Sequence, residues 1–163
     1  MGELVILVVE DEPEVRAAIV RDLDRLVGSI RIDEATDVDD ALAALDEALG
    51  AGDDVGLILA DHRLPGRSGV DLLVSLHAEP ERRAIRKVLI TGQAGHADTI
   101  RAINEAGLSH YIAKPWDPDE LVATAVQQLT DYVLDVGLDP LAHVDVLDGP
   151  RLLDAYARSG NSE

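Results

Sequence analysis

Four points along the chain place residues that could together do phosphoryl chemistry. Glu10-Asp11-Glu12, inside the stretch VVEDEP, directly follows the apolar run Leu4–Val9. Asp61 closes a second apolar run over residues 55–60, Thr91-Gly92 closes a third, and Lys114-Pro115 closes a fourth. Adjacent carboxylates repel, so crowding three of them after a hydrophobic segment needs a reason. Clustered carboxylates are hard oxygen ligands that suit Mg²⁺, which keeps several waters when bound. An aspartate can attack phosphorus and form an acyl phosphate. Such a transfer depends mostly on positioning and charge neutralisation, which a cation and the Lys114 ammonium could supply. The Thr91 hydroxyl could donate to a phosphoryl oxygen, with Gly92 leaving room beside it.

Each residue also has a plainer reading. EDEP alone marks a helix start, an acidic cap with proline in the first turn. Asp61 alone could cap a turn, and Lys114 alone is a solvated charge. Tyr111 could be packed core. What unites them is position. In an open α/β sheet, ligands bind beyond the carboxyl ends of the strands. The elements around these residues predict such a sheet.

Residues 4–9, 30–35, 55–60, 87–90 and 109–113 read as strands, because they are short apolar runs bounded by turn signals. Between them lie helical stripes. Val15, Ile19, Leu23 and Leu26 form one, stopped at Gly28; Ala41, Leu42, Leu45 and Leu49 form another. Further helices are expected over 70–77 and 97–106, and a long one from Pro118 to Val136. Alternating strands and helices predict a doubly wound, five-stranded parallel sheet in the order 2-1-3-4-5, a flavodoxin-like α/β fold. The domain is expected over residues 1–136. Residues 137–163 read as a C-terminal extension or linker, with a short helix over 150–158 and a frayed end from Ser159.

Composition narrows the function. The 163 residues carry 32 acids against 14 bases, a formal charge of −18. That field repels nucleic acid and anionic lipid, so neither is an expected partner. With no cysteine, disulfides and thiolate metal sites are excluded. The five histidines show no metal spacing, and strand alternation should point His62 away from the crevice. Leu4–Val9 is too short for a signal-peptide core or a membrane span, so a cytoplasmic protein is expected.

The segments ILVVEDEP, LILADHRLPGRSGVDLL, VLITGQA and YIAKPW occur in this order over residues 4–130 or so, and with them the chain resembles the receiver domains of two-component response regulators. The resemblance implies that Asp61 accepts a phosphoryl group from a sensor histidine kinase or a phosphotransfer protein. It implies that Asp11, Asp61 and the Arg63 backbone carbonyl bind Mg²⁺, with Glu10 acting through water. Thr91 and Lys114 would contact the phosphoryl group, and Thr91 with Tyr111 would form the switch. Arg63 and Gln93 would tune dephosphorylation, and a cis peptide would precede Pro115. Two departures stand out: Glu10 replaces the commoner aspartate, and Leu64 stands where methionine is frequent.

The function expected is a phosphorylation-driven switch whose surface acts on a downstream protein or output domain, with a homodimer as another candidate assembly. Two rivals remain. The chain could be the regulatory N-terminal part of a larger enzyme, or an interaction module independent of phosphate. No separate catalytic domain is visible, so enzymatic activity beyond self-phosphorylation and autodephosphorylation is not expected.

Overall fold

Five strands form one parallel sheet in the order β2-β1-β3-β4-β5 in the computed structural model, which describes residues 2–92 and 95–160. The strands are β1 (Leu4–Val9), β2 (Ile30–Ala35), β3 (Asp54–Ala60), β4 (Arg86–Thr91) and β5 (His110–Ala113). The helices are α1 (Pro13–Asp22), α2 (Val38–Gly50), α3 (Gly69–Ala78), α4 (His96–Glu105), α5 (Pro118–Val136) and α6 (Gly149–Gly160). The doubly wound order expected from the sequence is the order found.

Alternation along the strands divides the core into two layers. Leu4, Ile6 and Val8 of β1 join Leu57, Leu59, Val88, Ile90 and Ile112 beneath α1 and α5. Val5, Leu7 and Val9 join Ile58, Ala60 and Leu89 beneath α2, α3 and α4. Each fully buried aliphatic side chain contributes roughly 1.5–3 kcal/mol, so β1 and β3, buried on both faces, anchor the fold. The pairing of β1 with β3 shifts by one residue between Val5 and Ile6. Gly56 is the extra residue. A Cβ there would meet side-chain atoms of Leu129, Leu4 and Tyr132 at 2.9–3.0 Å. This bulge sets the phase that sends Leu57 and Leu59 to one layer and Ile58 and Ala60 to the other.

Three details depart from expectation. α1 ends at Asp22, and Leu23 and Leu26 lie in and beside a separate 3₁₀ turn, Asp24–Leu26, though both stay buried. In α2 the buried stripe is Val38, Ala41, Leu45 and Ala48, while Leu49 is exposed. The Asp37 side chain caps this helix by accepting from the Asp40 amide at 2.8 Å, and packing of Val38, Ala41, Leu45 and Ala48 in the core leaves Leu49 on the outer face. The C-terminal helix is longer than the expected 150–158, and Ser159 and Gly160 belong to it; residues 161–163 lie outside the described residues.

The extension packs rather than trails. Leu147 and Leu152 are buried in the layer that holds Leu129 and Val133 of α5. The Asp148 amide donates to Thr130 Oγ1 at 3.1 Å, and Arg151 pairs with Asp131 at 2.8 Å. Gly137 ends α5 in a left-handed conformation, with φ of 76°, which glycine adopts without steric cost.

Candidate functional site

The chain leaves β1 at Val9 and β3 at Ala60, and the next residues hold the acids. The Glu10 amide donates to the Ala35 carbonyl at 3.0 Å and the Asp61 amide to the Val9 carbonyl at 3.0 Å, which fixes both acids at the carboxyl edge of the sheet. Asp11 is half-buried beside them. One carboxylate oxygen each from Glu10, Asp11 and Asp61 lie within 4.8 Å of one another.

Lys114, just past β5, closes the cluster. Its ammonium donates to Asp61 Oδ2 at 3.0 Å and to Glu10 Oε1. Burial pushes the Glu10 carboxyl above its ordinary pKa; the Lys114 bond opposes this and the Asp61 charge adds to it. For Lys114, burial disfavours the ammonium, but the bonds it donates to Glu10 and Asp61 outweigh this and its pKa is raised. The remaining polar groups are also engaged. Glu10 Oε2 accepts from the Glu12 amide at 3.3 Å, and Asp61 Oδ1 accepts from the Arg63 amide at 3.3 Å. Arg16 Nη1 donates to the Glu10 carbonyl at 2.8 Å. Glu12 begins α1 as expected, but its side chain makes no capping bond.

Thr91, at the end of β4, is buried, and its carbonyl accepts from the Tyr111 hydroxyl at 3.1 Å. The structure thus brings Glu10, Asp11, Asp61, Thr91, Lys114 and Tyr111 to one edge of the sheet. The Arg63 side chain is exposed at its rim. Gln93 lies outside the described residues. The Lys114–Pro115 bond is cis. A Cβ at Gly92 would meet Lys114 only at 3.7 Å, an ordinary contact, so the protein alone does not demand a glycine there. Trp116 donates its indole N–H to Asp22 Oδ2 at 2.8 Å.

His62 follows Asp61 on the loop after β3. It lines an open cavity of about 890 Å³ with Arg63, Leu64, Gly66, Ser68, Gly92, Gly95 and Asp98. Its Nε2 lies 3.2 Å from Asp98 Oδ2. Neither the cavity nor this pair includes Glu10, Asp11 or Lys114.

The sequence reading also missed how the loop after Asp61 is shaped. The Gly69 amide donates to the His62 carbonyl at 2.9 Å, and a Cβ on Gly69 would stand 1.9 Å from the Asp61 carbonyl oxygen. Only glycine fits that approach. Ser68 and Asp71 form a reciprocal capping box that starts α3. The spacing of Ser68 and Asp71 was a legible signal for it; the backbone approach at Gly69 left none.

The donor set fits a divalent cation. Three carboxylates cluster, two of them bonded to one ammonium, and hard oxygen donors at this spacing suit a divalent cation such as Mg²⁺. Compared with known proteins, the chain matches the response regulator receiver domain family over residues 6–126. The chain belongs to this family. It is 37% identical over 123 residues to the hydrogenase transcriptional regulatory protein HoxA of Cupriavidus necator, a match covering 75% of the chain and 23% of that protein. It is 34% identical over 149 residues to the phosphate regulon transcriptional regulatory protein PhoB of Escherichia coli, covering 85% of the chain and 61% of that protein. The receiver therefore spans less than two thirds of either relative. Among solved structures, the receiver domain of an HD domain-containing protein from Pseudomonas fluorescens is similar, with a TM-score of 0.73 and 25% identity over 85% of this chain and 95% of that one. The protein is a receiver of the two-component response regulator kind. Among the described residues of this receiver, no helix is long and apolar enough to cross a membrane.

Proposed function

We propose that Asp61 is the phosphoacceptor of this receiver and that phosphorylation there switches a protein-interaction surface. The observation that carries the reading is the cluster of Glu10, Asp11 and Asp61 at the carboxyl edge of the sheet, with the Lys114 ammonium bonded to Glu10 and Asp61. An Asp61 carboxylate oxygen attacks the phosphorus of a phosphohistidine on a sensor kinase or phosphotransfer protein. The O–P bond forms as the P–N bond breaks, and the electron pair leaves with the imidazole nitrogen. Lys114 offsets charge on the phosphoryl oxygens, and the Thr91 hydroxyl donates to one of them.

Asp11, Asp61 and the Arg63 backbone carbonyl would hold Mg²⁺, with Glu10 acting through water; the cation would supply further charge neutralisation. Thr91 and Tyr111 form the switch, since the Tyr111 hydroxyl already bonds the Thr91 backbone. Arg63 and Gln93 tune the lifetime of the phosphoryl group. The downstream element is a partner protein, an output domain or a second copy of the chain, and the setting is the cytoplasm. Residues 1–136 form the receiver proper and residues 137–163 its extension, whose Leu147 and Leu152 join the core.

The test is intact mass after incubation with phosphoramidate, with and without Mg²⁺. A gain of one phosphoryl group that requires Mg²⁺, and that Asp61→Asn abolishes, supports the reading. Equal labelling of Asp61→Asn overturns it.

A further inference from the structure

α4 is held differently from its neighbour. α3 buries Gly69, Val70, Leu72, Leu73 and Leu76, whereas α4 buries only Ala102 among its ten residues. Ile100 and Ile103 of α4 are exposed. Apolar burial therefore fixes α3 firmly and α4 weakly.

Two polar pairs take its place. At the first turn of α4, Asp98 Oδ2 lies 3.2 Å from Nε2 of His62, the residue after Asp61. One turn on, Arg101 Nη1 donates to Asp71 Oδ1 at 2.8 Å. The other Asp71 oxygen accepts from the Ser68 amide at 3.3 Å, so this carboxylate also closes the cap of α3. Arg101 holds the Asp71 carboxyl below its usual range, as a charge-assisted bond should. Both anchors belong to the segment that carries Asp61, and the bond from the Gly69 amide to the His62 carbonyl braces that segment.

We propose that His62–Asp98 and Asp71–Arg101 form a polar clasp that seats α4 on the loop of Asp61, so that a change at Asp61 reaches α4 through these two pairs. His62 and Asp71 are positioning residues here and touch no reacting atom. The clasp stands on geometry alone; only the signal it carries rests on the phosphoacceptor reading.

Hydrogen exchange of the α4 amides tests it in Asp98→Ala/Arg101→Ala, with β1 and β3 amides as the folding control. Without phosphodonor, exchange over residues 96–105 should rise about fivefold or more while the strands stay unchanged; an unchanged α4 overturns the clasp. Should the strands also loosen, Asp98→Asn/Arg101→Gln is read in the same way. With phosphoramidate and Mg²⁺, intact mass should show wild type and variant gaining the same phosphoryl group. The accompanying change in α4 exchange should fall to less than half of the wild-type change. A change of full size in the variant overturns the coupling. If wild type gains no phosphoryl group, the phosphoacceptor reading fails, and the clasp is judged on the first comparison.

Discussion

Lys114 reaches across the width of β4: its Nζ, past the end of β5, stands 3.0 Å from Asp61 Oδ2, past the end of β3. The ammonium thereby ties three strands together at the edge where the acids collect. Among the described residues it is also the one countercharge paired with the buried Glu10.

Removing that countercharge should give a pH-dependent loss of stability. Lys114→Met leaves the Glu10 carboxylate buried and unpaired, at a cost of roughly 2–4 kcal/mol near pH 8. Glu10 then favours its proton still more strongly when folded. A raised folded pKa gives stability that is full below the unfolded value, here 4.5, and is lost as pH rises through the folded value. Chemical denaturation should find the deficit against wild type largest at pH 8 and shrinking as pH falls toward 4.5, with no further change below that. A deficit that grows on acidification would contradict the pairing.

Tyr111→Phe removes one donor to the Thr91 carbonyl, which also accepts from the Lys114 amide at 3.3 Å. Because the acceptor keeps a partner, stability should fall by only about 0.5–1 kcal/mol. Phosphoryl uptake at Asp61 should persist in the mass assay. Loss of uptake would move Tyr111 from the switch into the transfer chemistry.

Lys87 is fully buried at the start of β4, donating to the Ile85 and Arg83 carbonyls at 2.7 and 3.1 Å. Burial lowers its pKa from 10.5 to about 8. Between these values the unfolded chain binds a proton that the folded chain does not, so stability should rise with pH across that window. The rise corresponds to roughly 3 kcal/mol. Denaturation curves from pH 7 to 11 should show this component in wild type and not in Lys87→Met.

Leu152 joins the extension to the core. Its truncation, Leu152→Ala, should cost about 2–4 kcal/mol. A cost under about 0.5 kcal/mol, typical of surface sites, would mean that α6 is not part of the cooperative unit.

The sheet was legible because each strand is a short aliphatic run with a turn signal behind it, and Asp61, Thr91 and Lys114 fall at strand ends by that rule alone. Helix phase was less legible. Leu49 fits a periodic pattern as well as Ala48 does, and only the packing of Val38, Ala41 and Leu45 on the sheet shows which faces inward. The bulge at Gly56, the approach of Gly69 to the Asp61 carbonyl and the turn of His62 toward Asp98 are contacts between distant segments, with no local pattern to announce them. The packing of the extension was hidden for the same reason: a helix near 150–158 was legible, but the burial of Leu147 and Leu152 against α5 is a long-range contact.

The central claim is that a phosphoryl group is carried on the Asp61 carboxylate. Borohydride reduces an acyl phosphate of aspartate to homoserine, so peptide mass mapping after phosphoramidate, Mg²⁺ and borohydride reads the position directly. Homoserine at residue 61, absent without Mg²⁺, is the expected result. Homoserine at Asp11 or another acid, or none at residue 61 in a folded protein that has gained phosphoryl mass, would contradict the account.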